Sequence, residues 1–159
     1  MPEIPYNWDT KLLGLLGWPL GHSIVPRVHN ALYRYAGINA VLLPIELEDA
    51  PGNLDRFFNA VRTLRMGGFI VTMPYKSRML PYLDEVPEAC RALNCVNAVR
   101  FDGENLYGAA YDGYGLCQAI EDTGHRLEGR EALIIGAGGI CGPVISEMAK
   151  RGVESFTIL

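Results

Sequence analysis

Gly67-Gly68-Phe69-Ile70-Val71-Thr72-Met73-Pro74-Tyr75-Lys76 reads as a buried strand, a proline stop and a lysine where a helix would begin. Val71 is β-branched, and Pro74 lacks the N–H that a central ladder needs. A lysine at the carboxyl end of a parallel strand points into the crevice where open α/β sheets hold ligands. A desolvated amine in such a crevice can trade protons near neutral pH. Position alone leaves a second reading open, an ordinary surface lysine at a helix start.

Outward from this stretch the chain alternates. Residues 12–17 and 40–45 read as strands, as do 69–73. Between them, 26–36 carries Val28, Leu32 and Tyr35 at helical spacing after Pro26, with Gly37 as its stop. Residues 53–64 place Leu54, Phe57, Phe58, Val61 and Leu64 on one helical stripe. Residues 76–83 and 87–92 read as helices, and 95–101 and 106–109 as two short strands around the Asp102-Gly103 turn. The alternation predicts an α/β fold, an open and mostly parallel sheet with helices on both faces. A helix over 111–123 leads to the polar stretch 124–131. Beyond it a truncated Rossmann β-α-β unit is expected: a strand over 132–135, a helix over 140–151 and a strand over 155–159. The expected division is a first domain over 1–123 and an incomplete second domain over 129–159. The chain reads as a fragment, or as a protein whose second domain is reduced. Residues 1–10 read as a loose arm.

Of the 159 residues 49% are apolar and 20% charged, enough for a packed core. The net charge of −4 is spread without a basic run, so neither nucleic acid nor a membrane surface is an expected partner. Gly14, Gly17 and Pro19 interrupt the apolar segment 12–20, which is too short to span a bilayer and lacks a signal peptide's features. The cytoplasm is the expected compartment. Cys90, Cys95, Cys117 and Cys141 form no C-x-x-C pair, and they read as buried thiols rather than bridges or metal ligands. No metal site is expected.

Several motifs admit both a chemical and a structural reading. Gly136-Ala137-Gly138-Gly139 joins a strand to a helix, where glycines let a pyrophosphate approach free N–H groups and the positive end of the helix dipole. The same glycines can serve helix–strand packing alone, and Cys141 stands where the usual pattern has its third glycine. Ser23, at the end of Gly17-Trp18-Pro19-Leu20-Gly21-His22-Ser23, can grip a substrate or cap the following helix. Asn97, in an apolar strand, needs partners from the backbone or from a ligand. Asp112 can cap the helix after it or sit beside Lys76, each stabilising the other's charged form.

Taken in order, Gly17-x-Pro19-Leu20-x-His22-Ser23, Val71-Thr72-Met73-Pro74-Tyr75-Lys76, Val96-Asn97, Asp112-Gly113 and Gly136-Ala137-Gly138-Gly139 resemble the shikimate dehydrogenases and their quinate/shikimate relatives. The resemblance runs from Leu12 onward, and it implies that 1–123 is a substrate-binding domain and 129–159 an incomplete dinucleotide-binding domain. It implies that Lys76 and Asp112 are a catalytic pair, and that Ser23, Thr72 and Asn97 contact substrate. It also implies that Gly136, Ala137, Gly138, Gly139 and Ile140 cradle the pyrophosphate of NADP, or of NAD, with Glu88 on the cofactor side. The implied activity is reversible NAD(P)H-dependent reduction of 3-dehydroshikimate or a related cyclic hydroxy-ketone. The partner is then a small-molecule substrate, with homodimerisation left open.

The sequence departs from that family at the substrate end. Val25 replaces a second serine, Ile70 an asparagine, and Ala110 and Tyr111 the first two residues of N-T-D-G; Ala98 follows Val96-Asn97 in place of threonine. Each of Val25 and Ile70 removes a donor and adds apolar volume, and an unmatched buried carboxylate costs several kcal/mol. A substrate less dependent on a carboxylate is therefore expected. Two other readings stand beside an enzyme: a non-catalytic ligand-sensing domain, and a substrate-domain fragment inactive on its own.

Overall fold

A computed structural model of the chain describes residues 6–21 and 23–159. The run Leu12-Leu13-Gly14-Leu15-Leu16 lies within β1 (Lys11–Gly17), where Leu15 and Leu16 are fully buried. An unbroken apolar run is what a strand covered on both faces requires. β1 pairs in parallel with β2 (Ala40–Glu46) on one side and with β3 (Gly68–Val71) on the other. β4 (Ala98–Phe101) returns antiparallel beside β3, and β5 (Leu106–Ala109) closes the sheet antiparallel to β4. The order is β2-β1-β3-β4-β5, with only β4 running against the rest. The expected open, mostly parallel sheet is what forms.

Helices cover both faces. α2 (Asn53–Thr63) buries Leu54, Phe57, Phe58 and Val61 against Leu16, Phe69 and Val71. The Phe57 and Phe69 rings meet edge to face, centroids 4.9 Å apart. α1 (Val25–Ala36) lies on the opposite face, where Val25 and Tyr33 pack on Leu15 and Leu42. Gly37 ends α1 in the left-handed conformation at φ 67°. α1 also protects the sheet edge: Asn30 donates to the Leu42 carbonyl and accepts from the Leu42 N–H, both at 2.8 Å. Pro44 has no N–H to offer, so the β2 edge presents little to a further strand.

The second sheet is a parallel pair, β6 (Glu131–Ile134) and β7 (Ser155–Ile158), joined through α5 (Cys141–Lys150). It packs with α4 (Asp112–Asp122): Cys117 and Ile120 of α4 share a core with Leu127, Met148, Val153 and Phe156. Thus α4, grouped by sequence with the first unit, packs against the second. The two helices cross closely because Gly113 has no side chain; a Cβ there would lie 2.2 Å from the Pro143 carbonyl oxygen.

Four local expectations change. Residues 76–83 form no single helix but two 3₁₀ turns, Lys76–Arg78 and Leu80–Tyr82. Pro81 explains this, since its ring clashes with the carbonyl four residues earlier and it lacks an N–H. β3 stops at Val71 rather than 73, because Tyr75 N–H turns back to the Thr72 carbonyl at 3.0 Å. β4 begins at Ala98 rather than 95, because Val96 N–H leaves the ladder for the Lys76 carbonyl. Residues 7–10, read as part of a loose arm, are a turn: Asn7 accepts from Thr10 N–H, and Thr10 Oγ1 donates to Asn39. Residues 1–5 of that arm lie outside the described residues.

Asn30→Leu removes both bonds to Leu42 and should lower stability by about 1–3 kcal/mol. Urea unfolding should show this as a lower midpoint at unchanged slope. Gly113→Ala should cost about 1–3 kcal/mol by overpacking against Pro143. Amide exchange in that variant should speed up along α5 while β1 keeps its protection; uniform loss across both would contradict a local contact.

Candidate functional site

The turn carrying Lys76 is held from several sides. Thr72 N–H donates to Leu16 O at 2.9 Å, and Trp18 N–H to Met73 O at 3.0 Å. Tyr75 is the most buried aromatic of the turn, 1% exposed, and its hydroxyl donates to the Leu47 carbonyl. Burial pushes the Tyr75 phenol above its ordinary value, which keeps the hydrogen that donates. Arg78 pairs with Asp49 beside Leu47 and lies over the Tyr75 ring. Val96 N–H takes the Lys76 carbonyl at 3.0 Å. A lysine whose main chain is this constrained has only its side-chain torsions left to set.

That side chain reaches Asp112. Lys76 Nζ lies 2.6 Å from Asp112 Oδ2, with the two side chains 15% and 29% exposed. Asp112 is the first residue of α4, whose cap is Tyr111, and no side chain caps the helix. Of the two readings of Asp112, the one beside Lys76 is realised. The Lys76 reading resolves likewise: it is not a free surface charge.

Asn97 is the one buried polar residue of the described chain, 7% exposed. Its Oδ1 accepts from Tyr111 N–H at 2.9 Å, which fixes the amide's orientation. Nδ2, the other end, donates to no acceptor among the described residues. The backbone reading of Asn97 is therefore realised at Oδ1. Thr72 is half-buried, and its hydroxyl has no partner among the described residues. A Cβ on Gly17 would come within 2.5 Å of the Thr72 and Leu20 side chains, so the glycine lets the loop after β1 lie on this turn. Leu20 N–H is held by Glu46 Oε1 at 2.8 Å. Ser23 is exposed and does not cap α1, whose cap is Ile24; its hydroxyl takes only a long contact, 3.4 Å, from Val25 N–H. His22 of the same motif lies outside the described residues.

Across from Lys76 stands the glycine loop. A cleft of about 340 Å³ runs between Met73, Pro74 and Lys76 on one wall and Gly138 and Gly139 on the other. Gly136 needs its φ of 98°, and the space beside Gly138 and Gly139 is open. The backbone N–H groups of Ala137, Gly138, Gly139 and Ile140 donate to no acceptor among the described residues. Exposed N–H groups at the start of α5, with no Cβ in the way, suit an anionic group such as a pyrophosphate. Glu88 is exposed on the first turn of α3 (Glu88–Ala92) and does not line this cleft, so it is not brought to the loop. Cys95 is the residue that sequence reading missed. Grouped only with the buried thiols, it is 2% exposed, and its Sγ donates to the Gly139 carbonyl at 3.3 Å. No local signal betrays a contact that spans the two sheets.

Comparison with known proteins bears on this arrangement. Residues 15–99 match the family model of the shikimate dehydrogenase substrate binding domain. The shikimate dehydrogenase (NADP(+)) of Alkaliphilus metalliredigens is 38% identical over 99% of this chain and 54% of its own length. Shikimate 5-dehydrogenase from Listeria monocytogenes, solved in complex with shikimate and NAD, superposes with a TM-score of 0.88 at 31% identity, over 99% of this chain and 54% of that one. The ligand-free 5-ketofructose reductase of a Gluconobacter strain superposes at 0.84 with 27% identity, over 96% of this chain and 54% of that one. The chain spans about half the length of the curated relatives it matches. From the lysine turn, the buried asparagine beside it and the matched residues 15–99, the chain belongs to the shikimate dehydrogenase substrate-binding domain family.

Proposed function

We propose that this chain supplies the substrate-binding unit and the opening of the dinucleotide-binding unit of an NAD(P)-dependent oxidoreductase, divided near residues 123–129. Its reaction is the reversible reduction of 3-dehydroshikimate or a related cyclic hydroxy-ketone. The observation that carries this reading is the Lys76–Asp112 contact at 2.6 Å, across a cleft from the glycine loop.

Oxidising a secondary alcohol requires the hydroxyl proton to leave as hydride leaves carbon. Lys76, in contact with Asp112, takes or returns that proton at the reacting oxygen, and Asp112 holds the amine in place and balances its charge. The free hydroxyl of Thr72 and the free Nδ2 of Asn97 orient neighbouring ring oxygens, and Ser23 meets the substrate from the loop after β1. The N–H groups of residues 137–140 would hold the pyrophosphate of NADP or NAD, whose nicotinamide would supply or accept the hydride when bound. The open space at the glycines supports this fit.

The finer choice of substrate rests on Val25 and Ile70. Both pack in one apolar cluster with Leu15, Leu20 and Leu42. An apolar wall there gives a carboxylate no donor and favours an uncharged hydroxy-ketone. The likeness to a ketosugar reductase supports a substrate range wider than shikimate.

In an enzyme-length protein carrying this chain, assayed with NADPH and 3-dehydroshikimate or a carboxylate-free analogue, Lys76→Ala and Asp112→Asn should each lower kcat by about 10²–10⁴-fold without loss of folding. Unchanged turnover in either variant ends the assignment. Amide-shift titrations of this chain with shikimate, quinate and a carboxylate-free cyclic polyol should move Thr72, Lys76 and Asn97, most strongly with the polyol. Binding at these residues in an enzyme-length protein that lacks all turnover would favour a ligand-sensing role.

A further inference from the structure

Three consecutive residues, Cys95, Val96 and Asn97, each touch a different part of the site. Val96 N–H holds the Lys76 carbonyl at 3.0 Å, and Asn97 Oδ1 holds the N–H of Tyr111, next to Asp112, at 2.9 Å. Cys95 holds the carbonyl of Gly139 at 3.3 Å, in the glycine loop of the other sheet. Burial pushes the Cys95 thiol above its ordinary value, so it keeps the hydrogen it donates.

The consequence follows from peptide geometry. Across a trans peptide, a carbonyl and the next N–H point in opposite directions. Cys95 is interior at 2% exposed, so a Gly139 carbonyl turned toward it turns the N–H of Ile140, itself 46% exposed, outward. That N–H has no acceptor among the described residues. Glycine at 139 leaves this peptide easy to rotate, with no Cβ to resist and open space around it. The thiol is the side chain that opposes the rotation.

We propose that Cys95 is a positioning residue of the glycine loop, fixing the 139–140 peptide so that Ile140 N–H faces the pyrophosphate of a dinucleotide. This rests on the dinucleotide reading given above. It adds a specific link, in which the strand segment that anchors the lysine also aims the loop that meets the cofactor.

The test compares this chain with Cys95→Val, close in size without the donor, and Cys95→Ser, which restores a donor. Without ligand, the Gly139 carbonyl carbon shift should move and Ile140 amide exchange should quicken in the valine variant. Both should return toward the wild type with serine. Titrated with NADP+, the valine variant should bind roughly two- to fivefold more weakly, as expected for loss of one modest hydrogen bond, and serine should recover most of it. Thermal unfolding of each variant separates this from general destabilisation. Valine and wild type giving the same loop signals, or serine behaving as valine does, overturns the assignment. A wild-type chain that takes no NADP+ overturns the dinucleotide reading instead, and the carbonyl and exchange measurements still decide whether Cys95 orients the peptide.

Discussion

The antiparallel return of β4 beside β3 is the constraint on which the site depends, and it depends in turn on Gly68. A Cβ at that position would lie 2.3 Å from the Val99 carbonyl oxygen, and its φ of 149° is one that side-chain-bearing residues rarely adopt. Because the two strands approach so closely, the segment before β4 runs alongside the turn after β3. There Asn97 O takes the Val71 N–H at 2.8 Å, and Val96 takes the Lys76 carbonyl one step on. An all-parallel arrangement would bring the carboxyl ends of strands together; here the beginning of one strand meets the end of another. That meeting brings the segment carrying the Cys95 thiol and the Asn97 amide, just before β4, against the turn carrying Lys76, just after β3.

The sheet also explains how a cleft forms between two units joined by a short link. α4 is tied through Asp112 to the lysine turn that follows β3, and to the second sheet through the core of Cys117, Leu127 and Val153. At Gly113 it touches Pro143, on the helix that starts from the glycine loop. The loop is therefore located from two directions, through α4 and through Cys95. The distance across the cleft is set by packed atoms and not by the link over 124–130.

Much of this was legible in the sequence, because it rests on local signals. Apolar runs bounded by Gly and Pro gave each strand, and the Gly37 stop and the Asp102-Gly103 turn fell where expected. What failed were places where a distant partner decides: the shortened β3 and β4 ends, where backbone groups leave the ladder for each other, and the arm residues that Asn39 holds. Pro81 is a local signal, since proline inside a helix removes an N–H and clashes with the preceding turn. At the site, the pairing of Lys76 with Asp112 could be posed from residue types but not chosen, since 36 positions separate them. Cys95 could not be posed at all, because a buried thiol looks the same in a sequence whether it packs or donates.

The departures at Val25 and Ile70 acquire a physical sense from the same sheet. Neighbouring residues of a strand face opposite ways, so Ile70 and Val71 belong to different cores. Val71 lies with Tyr75, Met79 and Val96 on the α2 side, in the core that anchors the lysine turn. Ile70 lies with Val25 and Leu20 on the α1 side. Substitutions at positions on opposite faces of a sheet that share no packing partners couple only weakly. The α1-side wall can exchange polar for apolar side chains without disturbing the packing that holds Lys76 against Asp112. A fold built this way can keep its proposed proton-transfer pair while the molecule presented to it changes, because one strand sends alternate residues to the two tasks.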